Sequence, residues 1–430
     1  VKQKSFIYLL LLIQVLLLSK CNSVDPPPPP NGEKPTLTLT LEDVSCIEAW
    51  IKPTTTNIQL PASITLQQNN QNRKTINLVK ADTLIYVDSL LPNTRYQYQV
   101  SSIEYQVSSN EISVTTMDTT SHDFTFETFT FGGTAGSSTL YDVATIDENN
   151  IWAVGEILVA DTSVNGYTTY NAIHWDGSQW ELNRILYQGG FWVIRTIFAF
   201  NENDIWFSAF VRYDGQNFIE LPIPPILIGW TINKIWGSSS DDLYIVGNNG
   251  NIARYLNGTW SRIESGTDLN IYDVWGQINK DNEYDILCVA SNSDILIDSS
   301  KVLKIEGTSI KEISNEGLPV FISTLWFIPE RKYYIAGDGL YTAKHLGAQW
   351  ICDNSMPPYY KTSIRGNGFN DIVMTGAFGL LLHFNGLSWK NFQNITYIEG
   401  AYGEVAVKGN LICCTGGLNN GQAIILMGRR

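Results

Sequence analysis

The sequence predicts an all-β protein, a small sandwich followed by a seven-bladed β-propeller. Three observations carry this. Residues 36–117 alternate apolar and polar side chains in short runs, as half-buried strands do. From residue 138 onward one strand signature recurs seven times, and six copies are followed by a glycine-tipped hairpin. Only 16% of the 430 residues are charged, against ~25% in ordinary soluble domains. A polar surface built from Ser, Thr, Asn and Gln suits an exported β-rich chain. The 28 Lys+Arg against 42 Asp+Glu leave a net charge of −14, which excludes nucleic acid as a partner because nothing could neutralise a row of phosphates.

Residues 1–21 read as a lipoprotein signal peptide. Lys2 and Lys4 precede an apolar run from Phe6 to Leu18 that is too short to span a bilayer as a helix. Leu18-Ser19-Lys20-Cys21 resembles a lipobox and makes Cys21 the candidate lipidation site. Lys20 departs from the small residue usual there, so plain secretion is the alternative. Residues 22–35 form a Pro-rich tether in which Pro26 to Pro30 favour an extended polyproline rod. The expected location is the outer membrane or cell surface, with membrane contact through the lipid alone and the chain a monomer.

Within 36–117, Leu37-Thr38-Leu39-Thr40-Leu41, Ala49-Trp50-Ile51, Ile64-Thr65-Leu66 and Ile112-Ser113-Val114 alternate as strands. Tyr96 follows the turn Leu91-Pro92-Asn93-Thr94, a spacing that lets its hydroxyl reach back to the turn backbone. On these residues the segment resembles a fibronectin type III domain, which implies a spacer.

The recurring signature runs Ile151-Trp152-Ala153-Val154-Gly155, Ile205-Trp206-Phe207-Ser208-Ala209, Leu243-Tyr244-Ile245-Val246-Gly247 and Ile286-Leu287-Cys288-Val289-Ala290. It continues as Tyr333-Tyr334-Ile335-Ala336-Gly337, Ile372-Val373-Met374-Thr375-Gly376 and Ile412-Cys413-Cys414-Thr415-Gly416. A preceding strand carries an apolar column at Val143, Ile197, Ile235, Val274, Leu325, Ile364 and Ala401. Hairpins follow at Gly177, Gly215, Gly258, Gly307, Gly347 and Gly386. Four strands per ~40 residues is the period of a propeller blade. The seventh unit lacks its outer strand, and Phe124 to Phe131 can supply it, so 122–430 closes into a ring through strand 124–131.

Trp236-Gly237-Ser238-Ser239-Ser240-Asp241-Asp242-Leu243-Tyr244-Ile245-Val246-Gly247 is similar to bacterial extracellular propeller repeats. The whole order of lipobox, tether, sandwich and propeller resembles Bacteroidota-type surface lipoproteins, a group often labelled "glucosyltransferase". That label is poorly supported by the sequence: there is no Asp-x-Asp pair and no alternation of strands with helices.

Gly-x-Ser-x-Gly, His-Glu-x-x-His, the Walker lysine loop and Cys-x-x-Cys are absent, so no catalytic residue, metal or cofactor is assigned. Cys46, Cys288, Cys413 and Cys414 read as buried thiols. His174 and His383 share a column with Arg212, Arg254 and Lys344, which marks a structural position. Charges on the innermost strands are Asp142, Arg195, Lys234, Asp273, Arg365 and Glu399. Asp142, Asp273 and Glu399 are the acid–base candidates of an alternative reading as a glycoside hydrolase or lyase. The favoured reading is a non-catalytic binding or adhesion protein that recognises carbohydrate or protein. Its candidate ligand-binding residues are the loop aromatics Tyr167, Tyr170, Tyr187, Phe191, Trp192, Trp230, Tyr359 and Tyr360.

Overall fold

The computed structural model describes residues 34–81, 83–208, 210–292 and 300–430. The signal, the lipidation candidate Cys21 and the tether as far as residue 33 lie outside them. The chain divides into two compact units, with the boundary between Thr119 and Thr120.

The first unit is a sandwich of two antiparallel sheets. Thr36–Val44, Ala49–Thr56 and Ile85–Val87 form one, and the other contains Gln71–Leu78, Ala62–Gln68 and Arg95–Ser102. Alternation sends Leu39, Ile51, Ile64, Leu66, Tyr98 and Val100 into the space between them. The Leu91 N–H donates to the Tyr96 hydroxyl at 2.9 Å, closing the turn that the Pro92 spacing suggests.

The second unit contains, among the described residues, seven four-stranded antiparallel sheets in chain order. Their first strands are Thr139–Asp147, Ile197–Asn201, Ile232–Ser239, Asn270–Ile278, Ile322–Ile328, Lys361–Gly368 and Gly400–Lys408. Each lies beside the first strands of its neighbours, from the seventh sheet back to the first. Seven apolar clusters fill the junctions between successive sheets, the junction of seventh and first included. Strands that are apolar on both faces are therefore required, and this accounts for the low content of charge. Closure is by Thr125–Gly132, which pairs with Gln422–Arg429 from Arg429↔Thr125 to Gln422↔Gly132. No open edge remains between the two ends of the ring.

In four repeats the glycine that closes the signature has a steric cause. A Cβ on Gly155, Gly247, Gly376 or Gly416 would lie 2.0–2.1 Å from a backbone carbonyl at the start of the first strand. The hairpin glycines serve another purpose, with φ between 65° and 94° at Gly177, Gly215, Gly258, Gly307, Gly347 and Gly386. Asp176 and Asp214 complete two of these turns by accepting backbone N–H bonds, which holds both carboxyls below the usual range.

The seventh repeat departs from the sequence alignment. Gly416 pairs with Tyr402, as Gly155 pairs with Leu140, so the seventh member of the apolar column is Val405 and not Ala401. A four-residue slip arises there because Gly400-Ala401-Tyr402-Gly403 lacks the apolar spacing of its counterparts.

Candidate binding site

Each first strand except the second carries a register shift near its start: Leu140/Asp142, Ile232/Lys234, Ile271/Asp273, Ile322/Thr324, Lys361/Ser363 and Tyr402/Glu404. A bulge inserts one residue and re-aims the next. The re-aimed residues are Asp142, Lys234, Asp273, Thr324, Ser363 and Glu404, and Thr196 holds the equivalent place in the second sheet. Together they form a polar ring with one residue per sheet.

Two related arrangements knit this ring. Asp142 accepts from the Thr196 hydroxyl at 2.6 Å, from the Ile197 N–H at 3.1 Å and from Lys234 Nζ at 2.9 Å. Asp273 accepts in the same way from the Thr324 hydroxyl at 2.9 Å, the Leu325 N–H at 3.0 Å and both Arg365 Nη atoms at 2.9 Å. Glu404 joins the halves: its Oε1 lies 3.2 Å from both Lys234 Nζ and Arg365 Nη2, and it accepts from the Ser363 hydroxyl at 2.6 Å. Desolvation holds the Glu404 carboxyl above its usual range against the pull of the two cations. For Lys234 the paired carboxylates outweigh burial and raise its affinity for a proton.

This ring corrects two of the charge assignments. Glu399 is exposed and lies outside the Gly400–Lys408 strand, so Glu404 takes its place. Arg195 is exposed one residue short of the ring, with its guanidinium 5.2 Å from the Tyr141 ring. Asp142 and Asp273 have both oxygens occupied by cations or by hydrogen bonds. Carboxylates bound in this way hold sheets together. The shared column of His174 and His383 is likewise structural. His174 bonds Asn150 at 3.0 Å, and Arg212, Arg254 and His383 pair with Asp204, Asp242 and Asp371 at 2.7, 2.7 and 2.9 Å. Cys46, Cys288, Cys413 and Cys414 are buried free thiols, and Cys352 is half-buried.

The loop aromatics divide by environment. Trp192, Tyr167 and Tyr359 are exposed, at 54%, 37% and 37%. Tyr187 is buried in the junction of the first two sheets, where it supports Trp192 edge-on at 6.4 Å. Tyr170 and Trp230 are half-buried against core clusters, Phe191 lies under Arg184, and Tyr360 packs on Phe321. Two aromatics not singled out from the sequence, Phe378 and Tyr397, are exposed, and Phe378 packs against Tyr359 at 5.6 Å. Their signal is position, since Phe378 lies in a second-to-third-strand connection and Tyr397 in a fourth-to-first one. Phe378 also borders an open groove of about 550 Å³ between the first and seventh sheets. Ser137, Tyr141, Gly400, Gly403 and Gly417 line it, and the run of glycines leaves backbone accessible there.

No protein-family model and no curated protein matches this sequence. Solved structures do. "YCF48 bound to D1 peptide" is similar with a TM-score of 0.53 at 14% identity, over 73% of this chain and 97% of that one. The fold is a β-propeller. YCF48 from Cyanidioschyzon merolae is also similar, with a TM-score of 0.49 at 13% identity over 70% of this chain and 98% of its own.

Proposed function

We propose that this protein is a non-catalytic binding protein, a seven-bladed propeller carried on a fibronectin type III-like module and tethered at the cell surface through Cys21. The observation that carries the reading is the contrast between the axis and the loop face, which lie at the same end of the first strands. The axial carboxylates are committed to ion pairs, whereas the loop face offers a glycine-lined groove beside exposed aromatics. Exposed rings on a rigid scaffold suit gripping a peptide or stacking on sugar. A YCF48 structure with bound D1 peptide shares the propeller fold, which supports a protein ligand. Peptide and glycan arrays probed with the full chain, and with Trp192→Ala, Tyr359→Ala and Trp230→Ala, test this reading. Loss of array binding in Trp192→Ala or Tyr359→Ala is expected. Binding unchanged in all three variants would remove the loop face as the site.

A further inference from the structure

On the C-terminal side of the ring, small residues on three neighbouring first strands leave space. Ala144 in the first sheet, Ala199 in the second and Ala406 in the seventh border a partly open cavity of about 220 Å³. Lys234, Arg365 and Glu404 form its polar part. The charges of the ring do not balance, because three carboxylates face two cations. Asp142 pairs with Lys234 and Asp273 with Arg365, each at 2.9 Å, so Glu404 has no cation of its own. Its Oε1 shares both cations and takes the Ser363 hydroxyl. Its Oε2 accepts no hydrogen bond among the described residues, yet it keeps some accessible surface. Glu404 is the most accessible of the five charged side chains, at 15% against 9% or less, and neither aspartate lines the cavity.

We propose that this axial cavity is a second binding site, separate from the loop face, for one primary alkylammonium group, either a free amine or the end of a lysine side chain. The ammonium lies at Glu404 Oε2 and the alkyl chain along the apolar wall. A largely buried negative charge without a counterpart is costly, and either a cation or a proton must answer it. Desolvation holds the Glu404 carboxyl above its usual range against Lys234 and Arg365, with Asp142 and Asp273 adding to it, so a proton competes with the cation. The Cys414 thiol beside Glu404 is pushed well up by burial and stays neutral. Lys234 and Arg365 also border the cavity, but each is already matched by its own aspartate. The volume is several times the ~30 Å³ share of one water, more than a bare ion fills. Ala144, Phe198, Ala199 and Ala406 bring no side-chain oxygen to complete a metal's shell and suit an alkyl chain instead. One free carboxylate oxygen suits an ammonium N–H, whereas the planar fork of a guanidinium asks for two.

Calorimetric titration of the full chain with butylammonium tests this, with methylammonium, butanol and butyrate as comparisons. The expected result is saturable binding of butylammonium with a dissociation constant on the order of 1 mM. Butanol lacks the charge and methylammonium the chain, and each is expected to bind at least about tenfold more weakly. Nα-acetyl-lysine amide separates the two sources: binding as tight as that of butylammonium assigns a lysine side chain, and weaker binding a free amine. Amines stay charged below ~10.4, so binding that weakens between about pH 8 and about pH 5 reports the carboxylate. Glu404→Gln is expected to weaken binding about tenfold and to remove this pH dependence, and Ala406→Leu to abolish binding by filling the cavity. No binding of butylammonium, butanol or methylammonium binding as tightly, or an unaltered constant in Glu404→Gln would overturn the proposal. The comparison of butylammonium with butanol on the parent chain decides the matter if neither variant folds.

Discussion

Arg365 holds Asp273 in a two-pronged buried pair, Nη1 to Oδ2 and Nη2 to Oδ1, each at 2.9 Å. It bridges the fourth and sixth sheets across the axis, as Lys234 bridges the third and first through Asp142. Removing one partner of such a pair leaves the other buried and uncompensated. Arg365→Met is expected to cost about 3–5 kcal/mol by urea denaturation. Asp273→Asn in the same chain keeps the Thr324 and Leu325 bonds without the charge, and is expected to recover part of that loss. Equal stability of the single and double variants would contradict an ionic role.

Gly376 lies where a Cβ would come within 2.1 Å of the Tyr360 carbonyl. Gly376→Ala is expected to destabilise by about 1–3 kcal/mol, because the first strand must move away. Gly368→Ala is the control: a Cβ there meets nothing within 4 Å, and its φ lies outside the left-handed region. Its denaturation midpoint is expected to match that of the parent chain.

Near the closing strand, His122 Nδ1 and His383 Nδ1 lie 2.8 Å apart, so one must accept while the other donates. Burial first, then His383, Lys390 and Arg430, push His122 down to about 4, with Asp123 opposing them. His383 is also held by Asp371, which in turn pairs with Arg430 at 2.7 Å. An unfolded histidine titrates near ~6.5. Between that value and about 4 the unfolded chain binds the extra proton, so stability falls as pH drops through this window. His122→Asn is expected to flatten the dependence, as measured by urea midpoints at about pH 7 and about pH 4.5. An unchanged slope would assign the acid sensitivity to other groups.

Glu404 has the opposite sign. Its carboxyl is raised, so the folded chain holds the proton more tightly than the unfolded one, and stability falls as pH rises from the unfolded value through the folded one. Glu404→Gln retains an oxygen for Ser363 and the two cations. The variant is expected to lose this decline, with a urea midpoint at about pH 8 equal to or above that of the parent.

Much of the architecture is legible in the residues. Tyr96 after its Pro-containing turn, the seven strand signatures and the hairpin glycines are local patterns, and each appears as the spacing suggests. The donation of Phe124 to Phe131 to the last sheet is legible because an incomplete repeat must find a strand, and the observed strand differs by one residue. Less of the site can be read. Tyr187 and Trp192 share a loop and an aromatic character, yet one is buried and the other exposed, because burial depends on the neighbouring sheet.

The repeat period, a local property of the chain, marks the apolar column and the polar residue preceding it in six sheets. It does not mark which polar side chains meet. The bulge at the start of the first strand shifts the face of every residue after it by one. In the second sheet, which has no bulge near its start, the residue before the column is Thr196 rather than Arg195, and in the seventh the four-residue slip puts Glu404 rather than Glu399 on the axis. Arg365 reaches the ring from the next position only because its guanidinium is long enough to turn back to Asp273. Contacts of this kind join residues 92 apart in the chain, as for Asp142 with Lys234 and Asp273 with Arg365, and they exist only once the sheets have closed around a common centre.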